Sequence, residues 1–306
     1  MNLNRRGIFY NMNYTVVNNV YIFKQAVFDS NGKYIHKLNY WYTTYKPHII
    51  KIIQNEFTKL FESNDIKMCD DKLNYIFAFH LYDHYPYAHF FDVTHTLHVV
   101  ENVSNNCLCM GRKSGVLSID KHLSILGFNN SLQFNKDQIF NICNLYIPNY
   151  NSYGNSLCHY KKLSFNWLRK KYLIDYQYKK DFKSNITEKL YLNRSNKKRH
   201  VINETPVLNI LKDRGYTIVN GDESLDYIIE VFRNAKVIIG PHGGMFANLL
   251  FCTKQPRVIE LFPSNYVNRC FESLNKLTET DYMEVICVAD EQRNINIDLS
   301  LLKGLL

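Results

Sequence analysis

The sharpest chemical motif of the chain is the run Gly240-Pro241-His242-Gly243-Gly244, which follows an apolar stretch and precedes a helical pattern. Glycines let a ligand approach the backbone closely, and the free N–H groups at the start of a helix favour an anion such as a pyrophosphate. His242 would stand at the strand end, where it could contact that anion or a sugar. The alternative is a tight strand–helix turn with a buried histidine, because the glycine spacing is not that of the dinucleotide fingerprint.

A second group of candidate ligand contacts lies upstream, after the apolar run Leu190–Leu192. The planar guanidinium of Arg194 could hold a diphosphate, and Arg199 is a second candidate for the same role. Asn203 or Glu204 could bond ligand hydroxyls, although Asn203 is equally suited to capping the helix that follows it.

A carboxylate, Glu260, stands near the end of a further apolar run, Arg257–Phe262. In that place it could bind the hydroxyls of a ribose or a sugar. A structural ion pair is the alternative, and the residues alone leave both open.

The elements that must position these residues alternate between strand and helix. The pattern predicts the strands Lys189–Leu192, Tyr216–Val219, Lys236–Ile239, Arg257–Phe262 and Met283–Val288. It predicts the helices Glu204–Arg214, Ser224–Asn234 with Ser224 as N-cap, Gly243–Phe251, Tyr266–Leu277 and Leu299–Leu306. Such alternation indicates a parallel α/β sheet, in which ligands bind beyond the carboxyl ends of the strands.

The first half of the chain is richer in strands. We predict the strands Tyr14–Phe23, Gln25–Phe28, Asn74–Tyr82, Cys107–Met110 and Ile139–Ile147, and the helices Ile49–Phe61, His89–Val103 and Lys121–Leu126. The polar stretch Asn149–Asn155 has the composition of a linker, and Leu163–Leu173 is predicted to be a basic helix. We therefore expect two domains, residues 1–150 and 151–306, each of a size that buries its own core.

The net charge of +9 is concentrated in one segment, since residues 161–199 carry 13 lysines and arginines against three acidic residues. A solvated basic face explains such a run as readily as a site for a phosphorylated or acidic ligand does. No zinc-finger spacing or RNA-binding aromatic signature accompanies it, and we therefore expect no nucleic-acid partner.

The composition also indicates in which cellular compartment the protein is expected. The first ten residues are polar and basic, and no run of about 18 apolar residues occurs, so we expect neither a signal peptide nor a membrane-spanning segment. None of the eight cysteines forms a C-x-x-C pair and several stand in apolar runs, which favours free thiols in a reducing compartment. The expected location is the cytoplasm, or a viral factory in the host cytoplasm if the gene is viral.

Together the motifs of the second half resemble glycosyltransferase family 61. The residues that carry the resemblance follow one another in the family's order: Arg194, Arg199, Asn203-Glu204, Ala235, Gly240-Pro241-His242-Gly243-Gly244, Asn248, Glu260 and Pro263. Gly244 stands where the family usually has alanine. In the first half, Tyr87-Ala88-His89-Phe90-Phe91-Asp92 resembles the family's aromatic-x-His-x-x-Asp element.

The resemblance implies a GT-B fold, in which two Rossmann-like domains face each other across a cleft and the carboxyl-terminal domain binds the donor. It implies an inverting transfer from a nucleotide sugar, with UDP-GlcNAc or UDP-xylose as the commonest donors, to a hydroxyl of a glycan or glycoprotein acceptor. It also adds Asn248 to the expected donor-binding residues. No cofactor and no obligatory metal are expected, and the chain contains no D-x-D motif of the kind that holds a metal on the diphosphate in the other major glycosyltransferase fold.

An inverting transfer needs a base for the acceptor hydroxyl, and the candidates are His89 and Asp92, which share one face of a predicted helix. Either is the base, or Asp92 orients His89, or the pair merely caps the helix. The nearby His80 and His84 lie on a predicted strand, where their spacing does not suit a zinc ion.

Two other classes of function remain open from the sequence. One is a nucleotide-sugar- or glycan-binding protein that keeps the cleft without catalysis. The other is a nucleic-acid-binding protein that uses the basic segment, for which binding would be sensitive to salt.

Overall fold

The structure is a computed structural model, and it describes residues 8–10, 14–24, 26–35, 47–78, 91, 94–110, 119–133, 137–148, 162–177, 186–195 and 198–306. By contacts between residues the chain divides into two units. The first consists of Met1–Tyr85 and Thr96–Ser152, and the second of Pro86–His95 and Tyr153–Leu306.

The first unit is built on an eight-stranded mixed sheet. Its strands are β1 Ile8–Tyr10, β2 Tyr14–Phe23, β3 Ala26–Phe28, β4 Ile66–Met68, β5 Asn74–Phe77, β6 Asn106–Met110, β7 Ser131–Gln133 and β8 Ile139–Pro148. The order is β1-β2-β8-β5-β6-β7, with β3 beside β2 and β4 beside β8. Strand β2 is antiparallel to its three partners, whereas β5 is parallel to β6 and β8.

The helices of this unit are α1 Pro47–Glu62, a 3-10 helix His95–Val100 that starts at the unit boundary, and α2 Ile119–Ile125. Helix α1 forms because Ile50, Ile53 and Phe57 recur at helical spacing, and all three side chains are buried. The ring of Phe57 stacks on that of Phe28 at 3.8 Å between centroids. The contact ties α1 to the sheet at β3.

The second unit is built on a six-stranded sheet in which five strands are parallel. The strands are β9 Lys189–Leu192, β10 Thr217–Val219, β11 Val237–Pro241, β12 Arg257–Pro263, β13 Asp281–Ala289 and β14 Ile295–Asn296. The order is β10-β9-β11-β12-β13-β14, and only β14 is antiparallel to its neighbour. The chain therefore reverses its direction of winding between β9 and β11, which is where doubly wound sheets open a ligand crevice.

The connections of this unit are helical. They are α3 Lys162–Lys170, which continues as a π turn Lys171–Asp175, then α4 Glu204–Asp213, α5 Leu225–Asn234, a 3-10 helix Gly244–Phe251, α6 Glu272–Thr278 and α7 Leu299–Leu305. The Ser224 hydroxyl accepts a hydrogen bond from the N–H of Tyr227 and caps α5, as predicted.

The predicted α/β class is confirmed, and most predicted elements appear within a few residues of their expected bounds. One helix start was wrong. The helix predicted over 266–277 begins only at Glu272, because Tyr266–Arg269 are irregular and Cys270–Phe271 form a turn. The helix predicted over 243–251 is present as a 3-10 helix. Its apolar run is buried on every side, so burial gives it no α-helical periodicity. Of the helix predicted over 89–103, the described residues show Phe91 and Thr94 as helical and the 3-10 helix His95–Val100. The predicted linker 149–155 lies outside the described residues.

Contact between β9 and β11 at the carboxyl ends of the strands depends on Gly240. A Cβ atom at this position would lie 2.7 Å from both the Cβ and the carbonyl oxygen of Leu192. No real side chain tolerates such a distance to a neighbouring backbone. The two strands that flank the crevice can be adjacent there only because residue 240 is a glycine.

We expect Gly240→Ala to lower the free energy of unfolding by roughly 1–3 kcal/mol, because the added methyl group forces β9 and β11 apart. The measurement is urea denaturation followed by circular dichroism. The matched control is Gly304→Ala in α7, where an added Cβ meets no atom within 4 Å. That change should leave stability unchanged or raise it by up to about 1 kcal/mol. Equal effects of the two substitutions would contradict the close approach.

Candidate functional site

The predicted ligand-binding residues of the second unit converge at the carboxyl ends of β9, β11 and β12. Arg194 follows β9, His242 follows β11, and Glu260 lies in β12 opposite Gly240. The parallel sheet therefore brings together three motifs that are up to 66 residues apart in the sequence.

The guanidinium of Arg194 lies directly on the backbone of Gly243. A Cβ atom built on Gly243 would stand 1.6 Å from Nη1 of Arg194 and 2.8 Å from its Cζ. The φ of Gly243 is extended and is open to any residue, so the glycine is needed here for space. Nη1 is thereby held at the turn that leads into the 3-10 helix, whose first N–H groups have no partner within the helix.

The other nitrogens of Arg194 are already bound. Nε and Nη2 donate to the carbonyl oxygen of Lys198 at 3.2 and 2.7 Å. Burial, and after it the charge of Arg199, lower the pKa of Arg194 to about 10, so the group stays cationic at neutral pH. Within the part of the chain that the structure describes, Arg194 forms no ion pair. The result is a fixed, partly desolvated positive charge at the start of a helix.

His242 forms a buried hydrogen-bonded chain with two other side chains. Its Nδ1 lies 2.6 Å from Oε1 of Glu260, and the Tyr282 hydroxyl donates to Oε2 of the same carboxylate at 2.8 Å. Burial and the charge of Glu260 raise the pKa of Tyr282 well above its usual value, so the hydroxyl keeps its proton. When Glu260 is a carboxylate it can only accept, and Nδ1 of His242 is then the donor.

The second ring nitrogen of His242 is the one available for chemistry. Nε2 forms no hydrogen bond with another residue that the structure describes. The ring itself is clamped by stacking on Phe262, at 4.9 Å between centroids and 22° between planes. Its orientation is thus set from two sides, and Nε2 is left to meet a ligand.

Two further arginines gather around the ring of Tyr266. The Cζ atoms of Arg199 and Arg293 lie 5.2 and 4.4 Å from its centroid, and the ring of His242 lies 6.0 Å from it. Arg199 was predicted to be a ligand contact, and the structure places it beside Arg194 and His242.

Asn203 and Glu204 are engaged in contacts within the protein. The amide of Asn203 donates to the carbonyl of Ile297 at 2.7 Å and accepts from its N–H at 3.0 Å, and it makes no capping bond to α4. The capping role was therefore wrong, because the peptide of Ile297 satisfies both ends of the amide. Glu204 accepts a short hydrogen bond from Ser195, which in turn accepts one from Asn193.

The remaining predicted donor-site residues lie on the 3-10 helix. Gly244 is its first residue and is half-buried, and Asn248 is buried one turn further along. The carboxyl end of this helix is held by Arg169 of α3, which donates to the carbonyls of Leu250 and Cys252 at 2.8 and 2.6 Å. Part of the basic segment is therefore structural.

The proposed bases His89 and Asp92 lie outside the described residues, as do His80 and His84. Phe91, which stands between the two candidates, is described and fully buried. Its ring lies 5.9 Å from those of Tyr172 and Phe251, and residues 86–95 belong to the second unit. Phe251 is the last residue of the helix that begins at Gly244, so this segment is anchored to the far end of that helix.

The described residues contain no group of three or more His, Cys, Asp or Glu side chains able to hold a metal ion. Seven cysteines are described, and all are free thiols. Burial raises the pKa of Cys107 and Cys287 to about 11, so these thiols are unreactive. No described helix has the length and apolar character needed to cross a membrane.

Sequence reasoning missed Tyr282, Tyr266, Arg293 and Arg169. Each reaches the site through a contact between elements distant in the chain, and none belongs to a short motif. Tyr282 in particular stands in an ordinary strand pattern, where nothing local marks its bond to a carboxylate 22 residues away.

The model of one known family, Glycosyltransferase 61, matches residues 45–259. The matched span includes Arg194 and the Gly240–Gly244 turn and ends one residue before Glu260. It confirms the resemblance predicted from the motifs. No curated protein matches the chain significantly.

We expect Tyr282→Phe to lower the free energy of unfolding by about 1–3 kcal/mol, because Oε2 of Glu260 stays buried and loses its donor. Urea denaturation measures the change. Tyr216→Phe is the control, since Tyr216 is buried but its hydroxyl bonds no other residue that the structure describes, and it should shift stability by less than about 0.5 kcal/mol. A loss no larger than the control's would mean that the Tyr282–Glu260 bond is not formed.

Proposed function

The chain belongs to glycosyltransferase family 61 and is a glycosyltransferase, and we propose that the turn after β11 binds the diphosphate of its nucleotide-sugar donor. The observation that carries this proposal is the position of the Arg194 guanidinium against Gly243 at the start of a helix. A fixed cation and free N–H groups at one point form an anion site.

The charges around the turn support this choice of ligand. Arg194 lies on the turn, and Arg199 and Arg293 contact the ring of Tyr266 next to His242. None of the three forms an ion pair with another described residue, whereas the Glu260 carboxylate is already bonded to His242 and Tyr282. Excess positive charge in a partly desolvated pocket stabilises the charge that develops on a departing diphosphate.

Catalysis on this proposal is a single displacement that inverts the anomeric carbon. A bond forms from the acceptor oxygen to the anomeric carbon while the bond from that carbon to the phosphate oxygen breaks. The proton of the acceptor hydroxyl goes to a base, for which His89 and Asp92 are the proposed candidates. The Nε2 of His242 and the arginines stabilise the leaving diphosphate, and no metal is required.

The finer features of the donor, acceptor and architecture are also proposals. We propose UDP-GlcNAc or UDP-xylose as donor and a hydroxyl of a glycan or glycoprotein as acceptor, because the chain belongs to this family. A GT-B arrangement is supported by the two units, each of which carries a sheet rich in parallel strands. Buried thiols packed as small apolar groups support a reducing compartment such as the cytoplasm, and no nucleic-acid partner is proposed.

We expect Arg194→Gln to weaken the binding of a nucleoside diphosphate roughly 10- to 100-fold, the effect of losing a hydrogen bond between charged groups. Gly243→Ala should weaken it similarly, because the added methyl group displaces the guanidinium without removing it. Isothermal titration with a panel of nucleoside diphosphates and nucleotide sugars, in EDTA, measures the affinities. The exposed Arg214→Gln is the control and should bind as the unchanged protein does. Unaltered binding by both site variants would refute the proposed donor site.

We also expect transfer to be insensitive to the removal of metal ions, because guanidinium groups and helix N–H groups neutralise the leaving diphosphate. Product formation from a labelled nucleotide sugar, followed with and without EDTA, is the measurement. Activity that disappears in EDTA and returns with added Mg²⁺ or Mn²⁺ would show that the metal-independent mechanism is wrong.

A further inference from the structure

We propose that Arg199, Tyr266 and Arg293 form a second phosphate-binding clamp, which takes the phosphate that Arg194 does not hold and so selects a diphosphate over a monophosphate. The inference rests on the proposed function of the Gly243 turn. It assigns a specificity-determining role to Arg293, a residue outside every motif of the chain.

The guanidinium of Arg194 can bind only one phosphate. Its Nε and Nη2 both donate to the carbonyl of Lys198, and Nη1 lies on the backbone of Gly243. Only one side of the guanidinium therefore faces the turn. A diphosphate carries charge on two phosphates, and the second needs another cation.

Two more guanidiniums contact one aromatic ring, that of Tyr266. Those of Arg199 and Arg293 both lie within 5.2 Å of the ring centroid of Tyr266, and that ring is 6.0 Å from the ring of His242. The charge of Arg199 is felt at Arg194, where it contributes to the lowered pKa. Arg199 of the clamp therefore lies near Arg194.

The backbone of both clamp arginines is held in a fixed conformation before any ligand binds. Arg199 and Arg293 both have left-handed backbone, with φ of 65° and 68°, a conformation that side-chain-bearing residues keep only where the surrounding structure enforces it. Asp290 enforces it at Arg293, since its carbonyl accepts from the Arg293 N–H at 3.0 Å and its carboxylate binds the N–H and amide of Asn294.

The two loops that carry the arginines are also joined to each other. The N–H of Ile202 donates to the carbonyl of Ile295 at 2.8 Å, and the N–H of Ile295 donates to the carbonyl of His200 at 2.9 Å. These bonds fix the Arg199 loop against β14, which directly follows Arg293.

The positive charges of Arg199 and Arg293 favour the binding of an anion. Neither Arg199 nor Arg293 forms an ion pair with any other residue that the structure describes, so no described carboxylate neutralises either charge. Contact with the face of Tyr266 compensates only in part. A phosphate that bound both would neutralise these charges, and the planar fork of each guanidinium matches its oxygens.

The test compares inorganic pyrophosphate with inorganic phosphate by isothermal titration in EDTA. We expect Arg293→Gln to weaken pyrophosphate binding roughly 10- to 100-fold and to leave phosphate binding within about twofold, so that the preference for pyrophosphate collapses. Arg293→Lys keeps the charge without the fork and should lose part of the preference. Arg214→Gln is the exposed control, and equal thermal unfolding midpoints establish that the variants are folded.

The outcomes separate the clamp from the proposed function. If Arg194→Gln weakens both anions while Arg293→Gln weakens neither, or weakens both equally, the donor site stands and the clamp is refuted. If Arg293→Gln instead lowers only the affinity for a glycan acceptor, the clamp binds the acceptor and the inference is wrong. If the unchanged protein binds neither pyrophosphate nor a nucleoside diphosphate, the proposed function fails and the clamp fails with it.

Discussion

The site depends on the absence of side chains at two positions of one turn. Gly240 lets β11 lie against β9 at the level of Leu192, and Gly243 leaves room for the guanidinium of Arg194. Because these two positions lack a side chain, motifs that are almost 50 residues apart in the sequence can lie in contact. With a Cβ at either position, Arg194 could not lie on the turn, and the cation would be separated from the N–H groups with which it forms an anion site.

Around this turn the protein places its polar groups in fixed orientations before a ligand binds. Glu260 is fully buried and receives Tyr282 on one oxygen and His242 on the other. Phe262 stacks on the imidazole and helps to fix its orientation. Preorganised donors in a partly desolvated pocket are the usual source of stabilisation for charge that develops in a transition state. The buried carboxylate thus orients His242, a structural contact of the kind that the sequence left open beside the binding of ligand hydroxyls.

How far the sequence predicts the molecule depends on how local each feature is. The class, the strand Lys189–Leu192 and the cap Ser224 follow from residue pattern alone, because each is determined by its immediate neighbours. The start of α6 was misplaced because the apolar spacing of Tyr266–Phe271 is helical, although these residues form an irregular segment that ends in a turn. The role of Asn203 was missed since its partner, Ile297, is 94 residues away. Likewise nothing in the sequence places Arg293 on the ring of Tyr266. Motif order located the turn that we propose binds the donor, and only the fold could identify the residues beside it.

The most direct test of the account is a crystal structure of the protein with a nucleoside diphosphate bound, grown in EDTA. The account predicts that one phosphate lies within hydrogen-bonding distance of the Arg194 guanidinium and of the N–H groups that follow Gly243, with Nε2 of His242 facing the same group. A nucleotide bound away from this turn, or a diphosphate held by carboxylates through a retained metal ion, would contradict it.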